Sequence, residues 1–320
     1  ETRAWLEEFC PPGARGPGEI ASGSSKVEIE SPDVRLWLER MAERGWTVPT
    51  WPKAYGGGGL SGDEARVLYE EMERVDARPP LVNMGTRMLG PTLLEFGTED
   101  QKRRHLTRIA EGRAAWCQGY SEPGAGSDLA SLRTRAEDRG DEFVINGQKI
   151  WTSGAQNADW MFALVRTDPA APKHQGISFV LLPMDQPGVT VRPIRLISGT
   201  SPFCETFFDN AVASKQDLVG ELNQGWTVGK RLLQHERSGQ GGLGPRTGRA
   251  RPVGVTVDLD VAETALRYLG EQGGRIADPD LRARVIDWKM ASRAFGLTQQ
   301  RAGEENRAGG APGEATSIFK

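Results

Sequence analysis

The sequence predicts an α+β multidomain protein with a helical N-terminal domain, a central antiparallel β-barrel or β-sandwich domain and a C-terminal helical bundle. Three observations predict it. Capped segments with apolar residues at helical spacing occupy residues 31–116. The apolar period shortens from about 3.6 to about 2 residues near residue 117. It lengthens again near Gly225. The domains read as 1–116, 117–220 and 221–320, and a chain of 320 residues can hold two or three such units.

Each element has a local reason. Ser31-Pro32-Asp33 supplies a capping oxygen and then a proline where no N–H is needed, so a helix starts there. Leu36, Leu38 and Met41 follow, and Gly45 suits the left-handed stop. Ser61 and Glu64 form a capping box before Ala65, Leu68, Tyr69 and Met72; Thr98 and Gln101 form a second, closed by Gly112. Between the first two helices, Trp46 to Pro52 and the glycines Gly56 to Gly59 read as loop. In the central domain, strands are expected at residues 132–137 and 142–146, either side of a polar turn at Asp138-Arg-Gly-Asp141. Asn146-Gly147 then predicts a hairpin joining residues 143–145 to 149–151. Further strands are expected over 160–166, 177–183, 189–194 and 203–208. Trp226, Val228, Leu232 and Leu233 open the C-terminal helices. A Gly-rich stretch over 239–248 follows, and Leu281, Val285, Trp288 and Phe295 share a later helix face.

Composition excludes several classes. Lys plus Arg is 40 and Asp plus Glu is 43, a net charge of −3, which gives no basic surface for nucleic acid. No apolar run is long enough for a membrane span. The opening residues, Glu1 to Cys10, lack the charged-then-apolar order of a signal peptide. Cys10, Cys117 and Cys204 are odd in number and scattered, which argues against a disulfide framework and for a reducing, cytoplasmic setting. The three histidines have no metal-ligand spacing, so no metal is expected.

The most informative run is Gln118-Gly-Tyr-Ser-Glu-Pro-Gly-Ala-Gly-Ser-Asp128. Gly124 and Gly126 allow close backbone approach to a ligand, and Ser127 adds a hydroxyl suited to a phosphate. A dinucleotide fingerprint is excluded, because Leu129 stands where its third glycine belongs and strands follow. No Gly-Lys-Ser/Thr ends it, so it is not a P-loop. From the pattern alone, a polar turn between strands and an anion cradle remain equal readings.

Together with Asn146-Gly-Gln-Lys-Ile-Trp-Thr-Ser153, this run resembles the paired signatures of the acyl-CoA dehydrogenase family over residues 31–320. The resemblance implies FAD between the helical and β domains. Gln118, Gly119, Tyr120, Ser121, Gly126 and Ser127 would line the cofactor. Trp151, Thr152 and Ser153 would cover its ring, with Ser153 at flavin N5. Alone, a tryptophan such as Trp151 is more often a core residue on a strand face; within the paired motif the ring-covering role is the favoured reading. Ser127, Gln234 and Arg237 would bind the acyl-CoA substrate.

One subgroup of the family carries its catalytic base in a Glu-Arg pair, which matches Glu236-Arg237 here, so Glu236 is the expected base; the alternative is an ordinary surface glutamate. The implied reaction is α,β-dehydrogenation of a fatty, branched-chain or sterol-derived acyl-CoA, with electrons passing to an electron-transferring flavoprotein. The expected assembly is a homodimer, homotetramer or heterotetramer with a paralogue. Competing readings are an acyl-CoA oxidase or flavin monooxygenase on the same scaffold, or a non-catalytic subunit that completes a partner's site. His174, His235 and Cys117 are assigned structural roles, and the glycines Gly239, Gly241 and Gly242 suggest a pocket wide enough for a branched or cyclic acyl group. The sequence departs from the family in lacking a recognisable Arg-x-x-Phe-Gly motif between Val261 and Ile286. It also lacks the C-terminal Glu-Gly-Thr signature, so a further segment of about 60 residues, inside the usual domain range, is expected beyond Lys320.

Overall fold

The computed structural model describes residues 1–239 and 261–307. The chain divides into two compact units after Glu236. The first begins with α1 (Thr2–Phe9), α2 (Pro32–Glu43), α3 (Gly62–Arg74), α4 (Gly90–Phe96), α5 (Glu99–Gln101) and α6 (Thr107–Ala110). π-helical turns at Gly85–Leu89 and Lys102–Leu106 run into α4 and α6.

The capping signals act as the sequence predicts. Ser31 accepts from Val34 N–H, and the boxes Ser61/Glu64 and Thr98/Gln101 both close. Gly45 takes φ 68°, and a Cβ there would lie 2.3 Å from the Gly57 carbonyl carbon, so the helix stop doubles as a close approach to the glycine loop. α1 was not predicted. Its amphipathic signal spans two turns, and it is held by long-range contacts: Leu6 in the core, Trp5 against Trp46 at 4.9 Å, and Arg3 on Glu71 at 2.5 Å.

Eight strands follow: β1 (Trp116–Gly119), β2 (Arg135–Asp138), β3 (Glu142–Ser153), β4 (Trp160–Arg166), β5 (Ile177–Pro183), β6 (Val189–Ile194), β7 (Phe203–Ser214) and β8 (Leu218–Val219). Their order is β6-β7-β3-β2-β4-β5-β8, with β1 parallel beside β4. Pairings are antiparallel except β1–β4 and β2–β4. One face of β4 and β5 packs Phe162, Leu164, Phe179 and Leu181 against helical residues such as Leu89, Leu106, Val228 and Leu232. The opposite face packs Met161, Val165, Val180 and Leu182 against Phe143, Ile145 and Ala211. Burial on both faces explains why these two strands read as unbroken apolar runs. Gln101 fixes helices to sheet by donating to the carbonyls of Gln216 (2.8 Å) and Leu218 (2.7 Å).

The expected hairpin at Asn146-Gly147 does not form. β3 runs straight through it, and the turn at residues 138–141 carries the reversal instead. Gly147 is needed for a different reason: its φ is 149° and a Cβ would lie 2.7 Å from Thr134 Cα. The β3–β7 ladder shifts register twice. Between Ile145 and Gly147 the extra residue is on β7; between Lys149 and Thr152 it is on β3. The pairing therefore ends in the register in which it began.

α7 (Gly225–Gly239) closes the first unit and its last residues pass the division. The second unit contains α8 (Val261–Leu269), a small hairpin of β9 (Glu271–Gln272) and β10 (Arg275–Ile276), and α9 (Pro279–Arg307). On the predicted α9 stripe, Leu281 and Val285 are half-buried, whereas Trp288 and Phe295 are exposed. Gly241 and Gly242 lie outside the described residues. Among the described residues, no helix is long and apolar enough to cross a membrane.

We expect Gly45→Ala to destabilise the protein by about 2–4 kcal/mol, through the left-handed φ and the clash with Gly57. Gly62→Ala, where a Cβ meets nothing within 4 Å, is expected to be neutral or slightly stabilising. Chemical denaturation of both variants checks the contrast.

Candidate functional site

Two segments meet at the site: the glycine loop after β1 and the end of β3. Lys149 joins them. Its side chain is fully buried, and its Nζ donates to the Tyr120 carbonyl at 3.1 Å and to Glu122 Oε1 at 2.8 Å. Glu122 also accepts from the backbone N–H groups of Arg133 (2.6 Å) and Thr134 (2.9 Å). Burial pulls the Lys149 ammonium down to about 8 against the opposing pull of Glu122. Burial pushes Glu122 up, but Lys149 and the donated hydrogen bonds outweigh it and hold the carboxylate below its ordinary value. Beside this pair, Ile150 N–H donates to the Ser121 carbonyl at 2.9 Å.

The glycine loop is a tight turn in which Glu122 and Ala125 exchange two backbone hydrogen bonds of 3.0 Å. Nothing lies within 4 Å of a Cβ placed on Gly124 or Gly126, so the protein's own packing does not require these glycines. Ser127 is exposed beside them. Gly119 differs: a Cβ there would strike Met161 Sδ at 2.3 Å, which accounts for the glycine by strand packing. Gln118 is half-buried on β1, in register with Phe162 of β4.

Tyr120 sends its ring into the core, edge-on to Phe162 and Phe179. Among the described residues its hydroxyl has no hydrogen-bond partner, and it would lie 3.3 Å from a Cβ on Gly229 of α7. Burial raises the phenol well above its ordinary value, and the Glu236 carboxylate adds to the rise. Tyr120 thus faces α7, leaving its backbone for the cradle side.

The three residues ending β3 part company. Trp151 sits at the second register shift with φ 59°, a left-handed backbone that costs a bulky residue roughly 1–3 kcal/mol. Its indole is 54% exposed and meets Phe203 edge-on at 6.1 Å. The register shift thus turns a large aromatic side chain outward. Thr152 is fully buried, and among the described residues its Oγ1 has no hydrogen-bond partner. Ser153 is half-buried and pairs with Phe203 in the ladder.

On α7, Glu236 is half-buried near Tyr120. Gln234 accepts from Arg231 at 2.9 Å, and Arg231 makes a two-pronged ion pair with Glu95 of α4 (2.7 and 2.8 Å). His235 Nε2 lies 3.1 Å from Glu95 Oε1 but is not aligned for a hydrogen bond. Burial pushes the His235 imidazole below 6.5, Glu95 opposing and Arg231 assisting. These contacts fasten α7 to α4. The Arg237 side chain lies outside the described residues. His174 rests on Trp226 at 4.8 Å, and Cys117 is fully buried in the sheet core, its thiol pushed up by burial. Sequence reasoning missed Lys149, Glu122 and Glu95. A lysine at an inward strand position requires a buried anion, which is the signal that points to Glu122; nothing local marks Glu95.

Models of the acyl-CoA dehydrogenase N-terminal and middle domains match residues 18–113 and 117–211. The chain belongs to the acyl-CoA dehydrogenase family. It is 48% identical over 264 residues to the acyl-CoA dehydrogenase IpdE1 of Mycobacterium tuberculosis, covering 81% of this chain and 67% of that protein. The solved structure described as the Tcur3481-Tcur3483 steroid ACAD superposes with a TM-score of 0.75 at 33% identity, covering 100% of this chain and 78% of the other. The ChsE4-ChsE5 complex of Mycobacterium tuberculosis does so at 0.70 and 28%, covering 99% and 78%. This acyl-CoA dehydrogenase is accordingly an oxidoreductase.

Because the folded pKa of His235 lies below its unfolded value, its contribution to stability is complete above pH 6.5 and is lost as pH falls through the folded value. Glu95, held below 4.5 by Arg231, adds its own loss only at lower pH. We expect thermal unfolding between pH 7.5 and 5 to show a shallower decline for His235→Asn than for the parent protein.

Proposed function

We propose that this acyl-CoA dehydrogenase uses FAD to form an α,β double bond in a cyclic, steroid-derived acyl-CoA, with Glu236 as the base. The observation that carries the reading is that the Tyr120 hydroxyl lies against α7 at Gly229, two turns before the half-buried Glu236 on the same helix face. It sets a carboxylate on α7 behind the loop that bears the proposed cofactor contacts. The family relationship favours a dehydrogenase over an oxidase or monooxygenase, and the name of the steroid ACAD relative supports the substrate class.

The residues fit a flavin. The turn at Gly124 and Gly126 leaves room that the packing does not require, and Trp151 is held outward at a strained position beside it in the fold. Gln118, Gly119, Tyr120 and Ser121 would hold the ring edge through backbone and hydroxyl groups. Trp151, Thr152 and Ser153 would cover and orient its face, and Gly126 and Ser127 would take the phosphates. Bound there, the flavin supplies the hydride acceptor.

Glu236 takes the proton from the carbon next to the thioester carbonyl. Backbone N–H donors stabilise the charge that develops on the carbonyl oxygen. Leu232 and Leu233 on the preceding turn keep water from the reacting carbons. Ser127, Gln234 and Arg237 hold the CoA arm. Electrons leave to an electron-transferring flavoprotein. The two-component names of the ACAD relatives support assembly with a companion chain.

We expect the purified complete polypeptide, with any companion chain, to be yellow and to bleach on addition of a steroid-derived acyl-CoA. Glu236→Gln should keep the colour and slow bleaching by about 100-fold to 10,000-fold, the usual contribution of a general base. An unchanged rate removes Glu236 from the role. Stronger bleaching by short straight-chain acyl-CoAs removes the cyclic substrate.

A further inference from the structure

Lys149 is a fully buried cation with no part in the proton transfer. Its two contacts define what it does to the glycine loop. Its ammonium holds the Tyr120 carbonyl, while Ile150 N–H holds the next carbonyl, that of Ser121. In a trans peptide the C=O and the following N–H point in opposite directions. Pinning the Tyr120 carbonyl against β3 therefore turns the Ser121 N–H away from β3, toward the open side of the loop. Among the described residues this N–H has no acceptor.

The contact also polarises. A cation bonded to a carbonyl draws electron density through the amide and makes the attached N–H a stronger donor. The ion pair with Glu122 at 2.8 Å stabilises the charged form of Lys149 against burial. The charges facing it are Glu122, on the glycine loop, and Arg166, on β4.

We propose that Lys149 is a positioning residue that aims and strengthens the Ser121 N–H as a hydrogen-bond donor to the bound flavin ring, and thereby raises the flavin's reduction potential. This rests on the flavin reading above. A donor at the ring stabilises the negative charge added on reduction, so strengthening it moves the midpoint upward. Glu122, 2.8 Å from the buried ammonium, keeps it protonated, so both residues of the bridge are needed for the effect.

The test measures flavin midpoint potential, FAD affinity and thermal unfolding of the complete holoprotein. Lys149→Met alone strands a buried carboxylate, so it is replaced by the double variant Lys149→Met with Glu122→Gln. We expect the double variant to bind FAD about tenfold more weakly, the loss of one ordered hydrogen bond, and to shift the midpoint to more negative potential. Glu122→Gln alone removes the counter-charge, so the buried ammonium gives up its proton as pH rises and regains it as pH falls. At about pH 8 its midpoint should lie with the double variant's, below the wild type's, and toward about pH 6 it should return to the wild type's while the double variant's stays displaced. A bridge that merely holds the fold together displaces both variants by amounts that do not depend on pH. Displacements independent of pH, or wild-type midpoints in both, overturn the proposal. Should the double variant not fold, Glu122→Gln decides alone: a displacement that closes as pH falls supports it and any other result overturns it. A colourless wild type overturns the flavin reading as well, whereas a yellow wild type with unmoved variants overturns only this inference.

Discussion

The ion pair between Lys149 and Glu122 ties three stretches of chain that are distant in sequence: the glycine loop, the end of β3 and the start of β2. A lone ammonium in this position is untenable, and removing one member of such a pair typically costs about 3–5 kcal/mol. The geometry of the loop is therefore inherited from the sheet. Residues 120–122 are placed by hydrogen bonds from Lys149, Ile150 and the Glu122–Ala125 turn rather than by their own preferences. The loop can then afford glycines whose surroundings are open.

The helical side of the site is fixed by a different kind of contact. α7 lies on the sheet through Val228 and Leu232, with Gly229 admitting the Tyr120 hydroxyl. Arg231 and Glu95 then set its rotation against α4. Tyr120 belongs to both arrangements: its ring lies under α7 and its carbonyl on Lys149. Movement of the helix is thus felt by the cradle through one residue.

Much of this was legible in the sequence because the responsible interactions are local. Caps at Ser31, Ser61 and Thr98 use partners three residues away, and the apolar runs of β4 and β5 record burial on both faces. Asn146-Gly147 misled because a two-residue signal for a tight turn also suits a bulge, and Gly147 answers to Thr134 rather than to a reversal. Gly119 was assigned to the ligand, and strand packing against Met161 also requires a glycine there. At the site, the motif residues could be named but their directions could not. Trp151, Thr152 and Ser153 point differently because a register shift falls among them, and that shift depends on β7. Glu95 was invisible because its partner lies 136 residues away.

The two register shifts along β3 and β7 have a consequence for how such a chain can change length. One strand carries a surplus residue near Asn210 and the other near Trp151, each with a left-handed backbone, and the surpluses cancel. Only the window from Gly147 to Lys149 runs out of phase. Deleting either surplus alone would leave the misphasing uncorrected beyond it, carrying inward residues to the outward face. Descendants of this sequence can therefore shed both irregularities or neither, which links the fate of an indole at one end of the ladder to an asparagine near the other.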